Sequence, residues 1–359
     1  MFGGFKKTTI LGSTALGILL LASFTIYQPQ EDRFYLSDDD SVWDIYEKLG
    51  KIKMNKVNTS IAGVSAEKGR DIVLYGYSAK QDGSGKTSNQ SPYFKCTACH
   101  NLGRELEDLS DISSQKRLDY ANKHDLPFLQ GTTFQGLVNR LTYYNDDYQK
   151  KYGHVPIIKA SNTDIRQAIQ LCATQCSQGR ELEDWEIESV LAYYWTLELK
   201  IKDLKLSAED RASVESAIND KQSHAKAVHL LEAKFLDKSP AHFEEHNNLK
   251  PLDEAAKNDK TRFNNGKSIY ERSCLHCHEG RKYSFYALDN SRYSFKNLLN
   301  RSKKHGEGSL HHVARHGTYP LAGKRAYMPL YPIEKMSVEQ LDDLRVYIEN
   351  MAEGKDLSK

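Results

Sequence analysis

The sequence predicts a mainly α-helical chain: two small helical domains, each built round a large apolar prosthetic group, joined by a helical linker and preceded by an N-terminal transmembrane helix. Three observations predict it. The pentapeptide pattern C-x-x-C-H occurs twice, as Cys96-Thr97-Ala98-Cys99-His100 and Cys274-Leu275-His276-Cys277-His278, and takes four of the six cysteines. A helix, the pentapeptide, loops and a second helix follow one another in both places, a weak internal repeat. An uncharged apolar stretch stands close to the N-terminus.

That stretch comes first along the chain. Lys6 and Lys7 precede Thr8 to Tyr27, with Leu16, Ile18, Leu19, Leu20, Leu21 and Phe24 among its residues. About 20 apolar residues cross a bilayer as a helix, and flanking lysines favour a cytoplasmic N-terminus. Phe24, Ile26 and Tyr27 stand where a cleavage site would need small side chains. Residues 1–29 therefore read as an uncleaved signal-anchor in a bacterial inner membrane, with the rest of the chain on the periplasmic, exported side. Residues 30–64 read as a polar tether in which Val42, Trp43, Ile45 and Tyr46 form a short helix or strand.

Residues 65–202 read as the first haem domain. Ala66 to Tyr75 predicts a helix leading toward Cys96. Two thiols spaced as in C-x-x-C-H add to the two vinyl groups of one porphyrin, and the histidine ligates its iron. The pattern thus predicts two cytochrome c-type haem domains with two covalently bound c-type haems, held by Cys96, Cys99 and His100 and by Cys274, Cys277 and His278. The alternatives are one zinc site drawing on both cysteine pairs, or two redox-active C-x-x-C pairs. Trp185, Ile187, Val190, Leu191, Tyr194 and Leu197 recur at helical spacing and close the domain.

The sixth iron ligand decides the chemistry. An open face binds oxygen, peroxide or sulfur species, whereas two protein ligands make an electron carrier. A thioether favours reduced iron and a thiolate oxidised iron. No methionine lies between His100 and Lys202, but Cys172 and Cys176 stand before the closing helix. On a helix they share a face one turn apart, with Cβ atoms about 5–6 Å apart, too far for an unstrained disulfide that needs about 3.8 Å. Unwinding at Ser177-Gln178-Gly179 would permit one. The readings are a thiolate ligand, a disulfide, buried thiols, ligation by His154 or His124, or an open iron.

Residues 203–260 read as the linker, with a helix start at Ser207 and a packed face of Val228, Leu230, Leu231 and Phe235. His224, His229, His242 and His246 fall here and read as surface histidines. Residues 261–353 read as the second domain. Its first helix runs through Phe263 to Tyr270, and Ser337 with Gln340 forms a capping box for the last. Met328, followed by Pro329, is the predicted distal ligand, with Met336, His311, His312 and His316 as alternatives.

A net charge of +2 points to no nucleic-acid partner. Arg301, Lys303, Lys304, Arg315, Lys324 and Arg325 gather in the second domain as a solvated face or a docking patch for an acidic redox partner.

On the two pentapeptides and the Met328 loop, the chain resembles membrane-anchored or periplasmic dihaem c-type cytochromes from about Ala66 to Met351. Cys172 to Arg180, with the acidic stretch and helix after it, is similar to the equivalent part of thiosulfate-oxidising dihaem cytochromes. That similarity implies that Cys172 ligates the first haem. Ser177 departs from it, since a methionine is common there, and the insertion from Pro127 to Gly153 has no counterpart in it. The function expected is electron transfer between exported or membrane respiratory partners: a small cytochrome, an oxidase or another respiratory complex. The alternative is a thiosulfate dehydrogenase-like enzyme acting at a Cys-ligated haem; a dihaem peroxidase would need an open iron.

Overall fold

The computed structural model describes residues 1, 3, 33–144, 146–238, 240–243, 252–303, 309–318 and 328–359. The expected transmembrane helix lies outside the described residues, as do His246, Lys304, Lys324 and Arg325. Among the described residues no helix is long and apolar enough to cross a membrane. The chain divides into two units, Met1–Phe34 and Tyr35–Lys359, and the described helices belong to the second.

Its regular structure, among the described residues, is helical apart from two isolated bridges, Ser41 with Lys200 and Ala79 with Lys86. Helix α1 (Val42–Lys48) is capped by the Ser41 hydroxyl. The sequence reads this stretch as part of a tether, yet Val42, Trp43, Ile45 and Tyr46 are all buried. Trp43 Nε1–H donates to the Val138 carbonyl at 3.0 Å, and Val42 N–H to that of Leu199 at 3.0 Å. An apolar cluster on a short helix finds a partner surface when one is in reach. Trp43→Ala is therefore expected to lower unfolding free energy by about 3–5 kcal/mol in chemical denaturation; a tether residue would leave it unchanged.

Helix α2 (Ala66–Tyr75) begins at the Ser65 cap and stops at Gly76, which takes the left-handed conformation. After it come α3 (Ser114–His124), α4 (Asp146–Lys151) and α5 (Ile165–Leu171), and α6 (Asp184–Trp195) packs back across α2. Helices α7 (Ala208–Asn219) and α8 (His224–Glu232) form the linker pair. Ser207 caps α7 as its sequence foretells, with Asp210 closing the box. The pair docks on the first half through Arg211–Asp38 and Lys51–Glu232, the latter at 2.6 Å.

The second half repeats the plan. Helix α9 (Glu254–Lys257) leads into α10 (Lys260–Ile269), and α11 (Leu275–His278), α12 (Arg292–Ser302) and α13 (Leu310–His316) follow. Helix α14 (Val338–Glu353), started by the Ser337–Gln340 capping box, crosses α10. The two crossings have the same physical basis. A Cβ on Gly69 of α2 would stand 1.8 Å from the Ser189 carbonyl oxygen of α6, and one on Gly266 of α10 2.0 Å from that of Asp343 in α14. Only a residue without a side chain lets the backbones approach so closely.

The halves share a core. Leu118 and Ala121 of α3, with Phe128, pack in one cluster with Phe263, Phe295, Leu344 and Tyr347. Phe128 N–H donates to the Arg272 carbonyl at 3.0 Å, and the Ser273 hydroxyl to the Phe128 carbonyl at 2.7 Å. Helix α3 precedes the second pentapeptide by some 150 residues yet completes the core beside it, as Gln115 Nε2 reaching Asn265 shows.

Candidate functional site

At the first pentapeptide, a short 3-10 turn, Cys96–Ala98, follows the extended Lys95. Burial pushes the Cys96 thiol up to about 11 and the Cys99 thiol well above its usual value. His100 Nδ1 lies 2.6 Å from the Thr132 carbonyl oxygen. A carbonyl only accepts, so Nδ1 carries the proton and Nε2 keeps its lone pair, the tautomer an iron ligand needs. The imidazole stacks on Phe134 at 4.7 Å, and Phe134 on Tyr194 of α6 at 4.7 Å. Burial lowers its pKa, against the pull of the Thr132 bond, and so favours the neutral ligand form.

The second pentapeptide repeats the device on different local structure. Helix α10 widens into a π-turn, Tyr270–Cys274, and continues as α11. His278 Nδ1 lies 2.6 Å from the Tyr286 carbonyl oxygen, and the Tyr286 ring meets the imidazole edge-on at 5.8 Å. Burial again lowers the His278 pKa. Burial also pushes Cys274 up to about 12 and Cys277 up to about 11. Redox-active C-x-x-C pairs need the opposite, a depressed thiol pKa. Among the described residues no group of three or more Cys, His, Asp or Glu side chains is placed to hold a metal ion.

A cavity of about 1500 Å³ of empty space, part of it open to solvent, adjoins the first pentapeptide. Cys96, Cys99 and His100 line it, and so do Cys172 and Cys176. These two occupy a π-turn, Cys172–Cys176, that extends α5 where the sequence suggests ordinary helix. They are not joined in a disulfide. The Cys172 thiol is pushed well up, first by its hydrogen bond with Cys176 and then by burial. His154 is exposed. His124 is on the surface against Tyr120, with Glu107 at 3.8 Å. Neither lines the cavity. The donor set, two buried thiols, a neutral imidazole and two further thiols in one large, mainly apolar space, would suit a c-type haem.

The cavity has walls that sequence reasoning missed. Tyr144, Tyr148 and Tyr152 line it, with Tyr148 edge-on to Tyr144 at 4.9 Å. Their spacing of four residues was the available signal. Arg140 and Lys335 line it too, as do Pro329 and Leu330 from the loop assigned to the second domain.

Around the second site, Met328 and Cys274 pack against the same apolar cluster. The Thr318 hydroxyl accepts from Met328 N–H at 2.8 Å, and Thr318 N–H donates to the Met328 carbonyl at 2.9 Å, which fixes the backbone that carries the thioether. Met336 is a core residue, 2% exposed. His312 and His316 lie against each other along α13 with ring centres 4.6 Å apart and planes tilted by 42°, and His311 is buried. Arg315 departs from expectation: it is buried beneath α14's start and donates to the Tyr331 and Met336 carbonyls. It cannot serve a docking patch, whereas Arg301 and Lys303 remain exposed.

The two pentapeptides are neighbours. Cys277 Sγ lies 3.9 Å from the Ala98 carbonyl oxygen. The His276 ring interacts with the Thr97 and Ala98 backbone and is pushed down to about 4, first by burial and then by Lys282. Phe94 and Tyr283 face each other across the same junction at 6.5 Å.

Residues 261–348 match the family model described as cytochrome c oxidase, cbb3-type, subunit III. No curated protein and no solved structure matches the chain. The match supports a cytochrome c domain at residues 261–348 and, with it, covalent c-type haem and electron transfer in general.

Proposed function

We propose that the chain is a dihaem c-type cytochrome that passes electrons between exported or membrane-bound respiratory partners, tethered to the inner membrane by residues 1–29. The observation that carries this reading is the contact of the two pentapeptides, with Cys277 Sγ 3.9 Å from the Ala98 carbonyl. Two attachment sites that touch serve one electron path; unrelated sites have no need to meet. A c-type haem, when bound, supplies a one-electron iron couple. The chain's residues do the rest. Cys96 and Cys99 fasten one group and Cys274 and Cys277 the other. His100 and His278 ligate through Nε2, held by Thr132 and Tyr286. Cys172 would offer a thiolate to the first iron and Met328 a thioether to the second. With those donors the first site would have the lower potential and the second the higher.

The Cys172–Cys176 pair in the first cavity also favours a second reading, oxidation of thiosulfate or a related sulfur compound there. Mixing the purified protein separately with thiosulfate and with a reduced small cytochrome separates the two. The carrier reading predicts no reduction by thiosulfate and rapid exchange with the cytochrome. Reduction by thiosulfate that is lost in Cys172→Ala overturns it in favour of the sulfur enzyme.

A further inference from the structure

We infer that Arg140 and Lys335 form a built anion site for the carboxylate edge of the prosthetic group held by Cys96 and Cys99, so that a cation from the second half of the chain secures the haem of the first. The inference rests on the proposed haem at the first pentapeptide, and it goes beyond it by assigning residues to a part of the group that the pentapeptide does not touch.

Charge balance carries the argument. Both side chains line the cavity with Cys96, Cys99 and His100. Charged groups near this wall include Glu105, Arg117, Lys335 and Arg140, with Lys95 also on the cavity lining, and Glu105, Lys335 and Arg140 all act on His100. Glu105 is 7% and Arg117 3% exposed by side chain, and Lys335 14%. The one carboxylate is already engaged: Arg117 reaches it at 3.0 and 3.2 Å, Asn101 at 2.8 Å and Lys335 at 3.2 Å. Asp237 acts on Arg140 at longer range, as do Glu105 and Tyr143, and no ion pair of the Arg140 guanidinium is formed among the described residues. Two cations of the cavity lining, Arg140 and Lys335, thus stand beside an apolar space, and the carboxylate that Lys335 meets is shared with Arg117.

Buried charge without a counter-charge is unfavourable. Arg140 is half-buried, and burial lowers Lys335 to about 8 and Arg140 to about 10, the direction that an added anion would reverse. A haem carries two carboxylates on one edge, anions that two cations on one cavity wall can meet. Apolar porphyrin against Tyr148, Phe134 and Leu330, with its carboxylates against Arg140 and Lys335, satisfies both halves of the lining.

The test uses the full-length holoprotein with Arg140→Gln, Lys335→Gln and the charge-keeping Arg140→Lys. Glu105→Gln/Lys335→Gln removes the ion pair as a unit, so that a stranded Glu105 cannot mimic the effect. Intact mass counts the porphyrins, redox titration follows each site, and resonance Raman follows the carboxylate bending bands. A nearby positive charge favours the reduced iron. Each single Gln variant is therefore expected to keep both porphyrins, shift the bands, and lower the reduction equilibrium constant of the first site about tenfold, which is ~59 mV for one electron, whereas the charge-neutral double variant should shift the bands with a smaller change in potential. The second site should not move, and Arg140→Lys should restore most of the shift. Unmoved bands and potential in both Gln variants, with two porphyrins present, overturn this inference alone. A parent protein with no porphyrin at Cys96 and Cys99 overturns it together with its premise. Thiosulfate binding that both Gln variants abolish, with the bands unmoved, assigns the cations to a free oxyanion and overturns it too.

Discussion

Cys172→Ala is expected to raise the reduction potential of the first site by ~0.1 V or more, a fraction of the roughly 0.8 V that axial ligands span, and to abolish its thiolate low-spin EPR signal. Thiolate stabilises oxidised iron, and alanine offers no replacement. The cavity's other soft donor is Cys176, one turn away and hydrogen-bonded to Cys172. Cys176→Ala is the matched control: it removes the hydrogen bond to Cys172 and leaves that thiol in place, so under the proposed ligation the signal persists with a smaller shift in potential. Loss of the signal in Cys176→Ala and not in Cys172→Ala exchanges the roles of the pair. Persistence in both single variants and in the double variant contradicts thiolate ligation, since His154 and His124 do not line this cavity.

The second large effect concerns the fold. Gly69→Val and Gly266→Val each put a branched side chain where the facing helix's carbonyl already stands, at 1.8 and 2.0 Å from the new Cβ. No rotamer relieves a clash with backbone, so the helices must separate. Overpacking commonly costs about 1–3 kcal/mol and occasionally more; a backbone collision belongs at or above the upper end. Each variant should lose about 3 kcal/mol or more in denaturant unfolding and accumulate with reduced haem content. Gly266→Ala should already be damaging, because the Cβ alone makes the collision. A loss below about 1 kcal/mol in all three would show that the crossings are looser than 1.8–2.0 Å implies.

Those crossings also show what could be read in advance. The helices were legible where caps and apolar spacing are local: Ala66–Tyr75 and the Ser337–Gln340 box appear as expected. The pentapeptides were legible because thioether attachment demands fixed spacing. What escaped depends on contacts distant in sequence. The carbonyl that fixes His100 comes from 32 residues on, that for His278 from 8, so no common spacing marks them. Arg315 looks like surface charge until the Tyr331 and Met336 carbonyls are seen around it. Lys335 looks like part of the second domain, although it lines the first domain's cavity. Likewise Trp43, in an otherwise polar stretch, gave no sign of the Val138 carbonyl that holds it. The Cys172–Cys176 pair was recognised, but its π-turn was not, because one extra residue in a turn leaves no pattern in composition.

Everything in the electron-transfer account depends on porphyrin at both pentapeptides. Intact-mass spectrometry of the natively produced protein after full denaturation, followed by peptide mapping, counts covalent haem at each. Two added porphyrin masses are predicted, one mapping to Cys96–Cys99 and one to Cys274–Cys277. A peptide containing Cys96 and Cys99 that carries none, in protein whose Cys274–Cys277 peptide is fully modified, would contradict the dihaem account and leave a single-haem cytochrome.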